Sequence, residues 1–168
     1  VQDNQAPILN CPSNITTNTD PGVCGAVVTF NPPTVIDNCS NTTIYQVDGL
    51  ASGSVFPVGS TTVSYLVTDG SGNIDSCFFV VTVVDNELPV ISCPGNISLN
   101  SDPQKCGATV TFSVTATDNC PGYIINQTDG TGLSSGSFFP IGTTNLSFEV
   151  VDASGNTSTC NFSVQITD

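Results

Sequence analysis

Apolar and polar residues alternate in short runs along this chain, with turn-forming clusters between the runs. Ala26, Val28 and Phe30 fall on one side of such a run, Val63, Tyr65 and Val67 on one side of a second, and Phe79, Val81 and Val83 on one side of a third. A period of two sends these residues to a single face of a β-sheet. The same phase returns in Ala108, Val110 and Phe112, in Leu146, Phe148 and Val150, and in Phe162, Val164 and Ile166. These residues form the expected core. No run shows a helical period, and short runs broken by Gly, Asn, Asp and Pro predict β-sandwich domains. Residues 69–73 and 152–156 contain Gly and Asn, which tolerate positive φ, and are predicted to be hairpin loops.

The recurrence extends to whole motifs. Asp3-Asn4, Cys11-Pro12, Asn14-Ile15, Cys24-Gly25-Ala26, Asp37-Asn38-Cys39, Phe56-Pro57-Val58-Gly59, Asp69-Gly70-Ser71-Gly72-Asn73 and Cys77 are matched in turn. Their counterparts are Asp85-Asn86, Cys93-Pro94, Asn96-Ile97, Cys106-Gly107-Ala108, Asp118-Asn119-Cys120, Phe139-Pro140-Ile141-Gly142, Asp152-Ala153-Ser154-Gly155-Asn156 and Cys160. Two repeats with four cysteines each are therefore expected, over residues 1–84 and 85–168, joined without a flexible linker. Val1-Gln2-Asp3 shares its phase with Val83-Val84-Asp85 and with Ile166-Thr167-Asp168. That frame is the one expected of a segment of a longer tandem array.

Charge narrows the function classes. The chain has 14 acidic residues against one lysine, no arginine and no histidine, and a net charge of −13. Such a surface offers no cation for the phosphates of a nucleic acid and no basic cluster for an anionic membrane face. No apolar run is long enough to insert into a membrane. Eight cysteines without any histidine, and without C-x₂-C pairs, point to disulfides in an oxidising compartment and away from a zinc site. The start of the chain has no signal-peptide character. Most aspartates sit in turn signatures such as Asp20-Pro21-Gly22, Asp69-Gly70, Asp102-Pro103 and Asp129-Gly130, where the side chain accepts hydrogen bonds from its own backbone. With no histidine base and no G-x-S-x-G elbow, no catalytic residue is expected and the chain reads as a non-enzyme. Lys105 aligns with Val23, so a lysine-based isopeptide is no repeat feature.

Taken together, C-P-x-N-I, C-G-A, D-N-C, F-P-[VI]-G, D-x-S-G-N and a late C-x-F resemble the hyalin repeat (HYR) module, over essentially all of both repeats. The resemblance implies tandem immunoglobulin-like sandwiches related to fibronectin type III modules, and roles in extracellular adhesion and matrix architecture. Versions with four cysteines look most like those of large bacterial surface proteins. In immunoglobulin-like sandwiches the first and last strands commonly run side by side. That fold implies Cys11–Cys77 with Cys24–Cys39, and Cys93–Cys160 with Cys106–Cys120. The rival set joins Cys11 to Cys39 and Cys24 to Cys77.

Three further expectations concern the surface. Asp85, Asn86 and Glu87 cluster at the junction as candidate calcium ligands, and Asp37-Asn38 and Asp118-Asn119 are placed to approach a junction or a loop end, calcium being the one cofactor considered. Asn-x-Ser/Thr sequons begin at Asn14, Asn38, Asn41, Asn96, Asn126, Asn145, Asn156 and Asn161, making these candidates for covalent glycans; Asn38 is the weakest, because Cys39 beside it is expected to be bonded. The outward positions of the last two strands of repeat one, Leu66, Phe78, Val80 and Val84, are apolar, whereas their counterparts Glu149, Asn161, Ser163 and Thr167 are polar. A contiguous apolar patch of that kind is an interface candidate, the partners being neighbouring copies or further repeats. The expected function is a structural or adhesive module of a surface protein or extracellular filament. The alternative is a carbohydrate- or protein-binding accessory module of a secreted enzyme, which the lack of tryptophan disfavours.

Overall fold

A computed structural model describes residues 3–39 and 41–168; Val1 and Gln2 of the array phase, and Ser40 of the Asn38 sequon, lie outside the described residues. The described residues are all-β, and no helix among them is long and apolar enough to cross a membrane. Two compact units, Val1–Asn86 and Glu87–Asp168, divide the chain.

The first unit contains β1 (Ile8–Asn10), β2 (Ile15–Asn18), β3 (Gly25–Val28), β4 (Thr34–Ile36), β5 (Thr43–Asp48), β6 (Ser54–Pro57), β7 (Gly59–Thr68) and β8 (Ile74–Val84). One sheet has the order β2-β8-β7-β5, and the opposing layer consists of the pairs β1-β4 and β3-β6. β2 runs parallel to β8 with Ile15 opposite Val81, while β7 and β8 form an antiparallel hairpin from Gly59↔Val83 to Thr68↔Ile74. The second unit repeats the plan with β9 (Val90–Ser92), β10 (Ile97–Asn100), β11 (Gly107–Thr109), β12 (Thr115–Thr117), β13 (Ile124–Gln127), β14 (Phe138–Pro140), β15 (Gly142–Val151) and β16 (Thr157–Thr167). Its four-stranded sheet is β10-β16-β15-β13, with β10 parallel to β16.

Each core lies between the two layers. Val63, Tyr65, Val67, Phe79, Val81 and Val83 from the first four-stranded sheet meet Leu9, Ala26, Val28 and Phe56 from the facing pairs. Phe30, half-buried, closes this core edge-on to Phe79 at 4.9 Å between ring centroids, and Phe112 does the same to Phe162 at 5.0 Å. Phe56 and Phe139 are wholly buried, a role their alternation-free surroundings in sequence did not announce.

The C-G-A motif has a steric reason. A Cβ on Gly25 would stand 2.6 Å from the Phe56 carbonyl oxygen, across the β3–β6 pair. At Gly107 the equivalent Cβ would collide with the Phe139 carbonyl oxygen and lie 2.7 Å from the Phe138 ring. The strands approach too closely for any side chain there. Gly25→Ala is therefore expected to cost about 2 kcal/mol by overpacking, read as a lower urea midpoint with an unchanged m-value.

Each sandwich has two poles. The leading pole of the first unit gathers residues 3–5, the 37–39 segment after β4, and the 69–73 hairpin loop. The trailing pole holds the 19–25 turn, where Thr19 N–H donates to the Val84 carbonyl and Asp20 N–H to that of Gly25. β3 and β4 run in the same direction, from trailing pole to leading pole, as one strand passage interrupted at Asn31-Pro32-Pro33.

That passage corrects the expected cysteine pairing. Cys11–Cys77 and Cys93–Cys160 form, with Cα–Cα distances of 5.7 and 5.8 Å. Cys24–Cys39 and Cys106–Cys120 do not: Cys39 and Cys106 are exposed free thiols, while Cys24 and Cys120 are disulfide-bonded. Cys24 opens the passage and Cys39 closes it, so they occupy opposite poles. A disulfide needs Cα atoms within about 7 Å, which two ends of one extended crossing never reach. Cys106 and Cys120 flank the β11–β12 passage in the same way. The rival pairing of Cys11 with Cys39 and Cys24 with Cys77 is excluded by the observed Cys11–Cys77 bond.

Candidate functional site: carboxylate clusters at the leading poles

The D-x-S-G-N motif builds the floor of the pole. Asp69 Oδ1 accepts from Ser71 N–H at 2.9 Å and Asn73 N–H at 2.8 Å, and its Oδ2 accepts from Asn73 Nδ2 at 2.6 Å. Gly72, at φ 90°, supplies the left-handed residue that lets the loop close. Asn73 Nδ2 also donates to the carbonyls of Asp3 and Gln5, which fixes the entering chain against the loop. The second repeat shares the core of this device: Asp152 Oδ1 accepts from Ser154 and Asn156 N–H, each at 2.8 Å, and Oδ2 from Asn156 Nδ2 at 2.7 Å.

This scaffold draws carboxylates together. Asp3, Asp37 and Asp69 each present an oxygen within 4.8 Å of the others, as do their register counterparts Asp85, Asp118 and Asp152. Asp37 Oδ2 accepts from Cys39 N–H at 3.2 Å and Asp118 Oδ2 from Cys120 N–H at 3.0 Å. The other oxygens, Asp37 Oδ1 and Asp118 Oδ1, are buried without a hydrogen-bond donor. A buried carboxylate oxygen left unpaired is costly, and a hard divalent cation satisfies such oxygens. The D-N-C and D-x-S-G-N motifs thus converge on one place. Of the junction residues named as calcium ligands, Asp85 is in a cluster, where Asp118 and Asp152 from distant loops join it.

Hydrogen bonds set the acidity here. The Asn73 amide, aided by loop N–H groups, holds Asp69 below the ordinary carboxylate range. Gln5 N–H, with Cys39 and Asn38, does the same for Asp3. At Asp152 burial pulls upward, but Asn156, Ser154 and Gly155 outweigh it and the carboxyl ends below its ordinary value. Beside these anions, a hydrogen bond to Asp3 and then burial and charge push the Cys39 thiol up. Outside the clusters, acidic side chains hold backbone: Asp20 accepts from Val27 N–H beside its turn, Asp75 on β8 from Leu9 N–H on β1, and Asp129 from Thr131, Gln127 and Ser147.

The outer sheet faces differ as their sequences do. Phe78 is 69% exposed, and Leu66 stands opposite Tyr45, itself exposed on β5. Leu66, Phe78 and Val80 adjoin; Val84 lies one polar step beyond, past Thr82. Tyr45 extends the patch, and its neighbouring strand was the missing information. On the second unit Asn126 stands opposite Glu149, and Asn96, Asn145, Ser147, Asn161 and Ser163 line a polar cleft of about 330 Å³.

The sequon asparagines fall into two groups. Asn14 and Asn96, matched in register, spend their side-chain oxygens on the N–H groups of Val80 and Ser163, at 2.8 and 2.9 Å, pinning β2 beside β8 and β10 beside β16. Asn41, Asn126, Asn145 and Asn161 are exposed, whereas the Nδ2 of Asn156, the atom a glycan would take, is committed to Asp152.

The architecture defines a class: extracellular, disulfide-stapled tandem sandwiches of immunoglobulin-like build. The HYR domain family matches residues 2–83 and again 84–166, and the chain belongs to that family. Hyalin of Strongylocentrotus purpuratus is 33% identical over 98% of this chain, which covers 14% of that protein; hyalin of Lytechinus variegatus is 33% identical over 99%, covering 32%. A serine-rich adhesin for platelets from Staphylococcus aureus (strain N315) is 29% identical over 83% of the chain and 7% of that protein. The chain thus spans a third or less of these relatives. Among solved structures, a protocadherin gammaB7 EC3-6 cis-dimer aligns with a TM-score of 0.44 at 16% identity, over 98% of this chain and 51% of that one.

Proposed function

We propose that this chain is a structural and adhesive HYR unit that associates with copies of itself, its leading poles stiffened by calcium. The observation that supports this most is the family match along both repeats, shared with hyalin and with a platelet adhesin. The uncharged patch of Tyr45, Leu66, Phe78 and Val80 suits a second copy, because a chain of net charge −13 repels itself everywhere that acid is exposed. Divalent cations at the carboxylate clusters would lower that repulsion while satisfying Asp37 Oδ1 and Asp118 Oδ1. In a glycosylating host, Asn41, Asn126, Asn145 and Asn161 are the acceptors this reading favours, with Asn156 bare in glycopeptide maps.

Two measurements test it. Calcium at about 100 times its dissociation constant should add about 2.7 kcal/mol of stability, read as a rise in Tm that chelator reverses. Asp37→Asn should weaken the response and Asp75→Asn, outside the clusters, should not. Beads coated with the chain should cluster in millimolar calcium and disperse in chelator, and Phe78→Ser should reduce clustering several-fold. Beads that stay dispersed in both media would refute the adhesive reading.

A further inference from the structure

Two cysteines of this chain form no disulfide within their own repeats. Cys39 closes the β3–β4 passage at the leading pole of the first unit, and Cys106 sits in the turn at the trailing pole of the second, where Asp102 N–H donates to the Gly107 carbonyl and Ile141 N–H to that of Cys106. Both are exposed and unbonded. Neither finds a partner in its own sandwich: Cys11–Cys77 and Cys93–Cys160 are already closed, and the remaining cysteine of each repeat lies at the far pole.

The second observation comes from the repeat itself. The register counterpart of Cys39 is Cys120, and that of Cys106 is Cys24; both counterparts are disulfide-bonded. The same leading-pole position is therefore oxidised in one repeat and free in the other, and so is the same trailing-pole position. The pole environment is shared, with Cys39 N–H on Asp37 and Cys120 N–H on Asp118. In an oxidising compartment, exposed thiols left over among bonded cysteines are candidates for pairing between molecules.

We propose that Cys39 and Cys106 are end-coupling thiols: Cys106 at the trailing pole of one copy forms a disulfide with Cys39 at the leading pole of the next. This deepens the self-association described above and rests on it. The chemistry is thiol–disulfide exchange with a small-molecule disulfide such as oxidised glutathione. One protein thiolate attacks that disulfide, forming a mixed disulfide and releasing one small thiolate. The second protein thiolate then attacks the protein-side sulfur, forming the Cys39–Cys106 bond and releasing the other small thiolate. The two protein thiols lose two protons and two electrons, and the oxidant is reduced to two thiols. Coupling is head-to-tail, so copies add in open chains or close into rings.

The test uses the whole chain in a glutathione redox buffer, followed by non-reducing electrophoresis and peptide mapping. The expected result is a ladder in steps of one chain, 17.3 kDa, that collapses on reduction and contains Cys39–Cys106 peptides. Cys39→Ser alone and Cys106→Ser alone should each remain monomeric. An equal mixture of the two should stop at a heterodimer. Unchanged Tm values would show both variants folded, as expected for exposed positions. A monomeric wild-type chain would overturn the proposal, and so would single variants that homodimerise as readily as the mixture. Loss of the ladder with calcium-dependent bead clustering intact would remove the cross-link alone; loss of both would remove the adhesive reading with it.

Discussion

Cys77→Ser should lower the stability of the first repeat by about 4 kcal/mol, the chain-entropy value for opening a loop as long as that between Cys11 and Cys77, 66 residues apart. The bond joins the segment between β1 and β2 to the middle of β8, and β2 pairs with β8 in parallel through four residues only. Parallel partners so far apart in sequence come together at a high entropic cost, which the cross-link lowers before folding begins. A sandwich of this size has a modest core, so the loss is a large part of its total stability. Urea unfolding should show the first repeat melting well before the second. Cys160→Ser should reverse the order. Co-melting of the repeats in both variants would show that the bonds contribute far less.

Asp152→Ala should be the next most damaging change, at about 3 kcal/mol. It leaves the N–H groups of Ser154 and Asn156 and the Asn156 amide without their acceptor, and a hydrogen bond to a charged group carries roughly 1.5–3 kcal/mol. The sum stays below three full bonds because water reaches part of the loop. The same carboxylate gives a pH signature. Its folded pKa lies below the ordinary 3.8, so its contribution is fully present above that value and fades as pH falls through the lower folded pKa. Wild-type stability should therefore drop in acid, and Asp152→Asn should flatten that part of the profile. A wild-type profile as flat as the variant's would show that this carboxylate is not held by the loop.

The alternating strands were legible because one face of each is buried. Val63, Tyr65 and Val67, and Phe79, Val81 and Val83, sit on the core side, as period two required. Phe56 and Phe139 escaped because β6 and β14 are only four and three residues long and end in Pro. A pattern needs several periods before it can be read. The cysteines show a different limit. Cys24 and Cys39 are near in sequence, yet a strand passage carries them to opposite poles. Sequence separation measures chain length and not direction, and direction was decided by the β1–β4 and β3–β6 pairings. The carboxylate clusters were legible in part. Asp85 was visible at the junction, and Asp37 and Asp118 as acids able to approach it or a loop end, but Asp69 and Asp152 read as turn residues and join the clusters only once the hairpin loops are folded back. The outer apolar face was readable from β7 and β8; Tyr45 joined it only once β5 was known to flank β7.

Electron microscopy of the purified chain in calcium and redox buffer decides whether this HYR unit associates with copies of itself. Strings of copies with a regular repeat, shortened by Phe78→Ser and by chelation, are the expected result. A field of separate, folded two-repeat particles under the same conditions would contradict it.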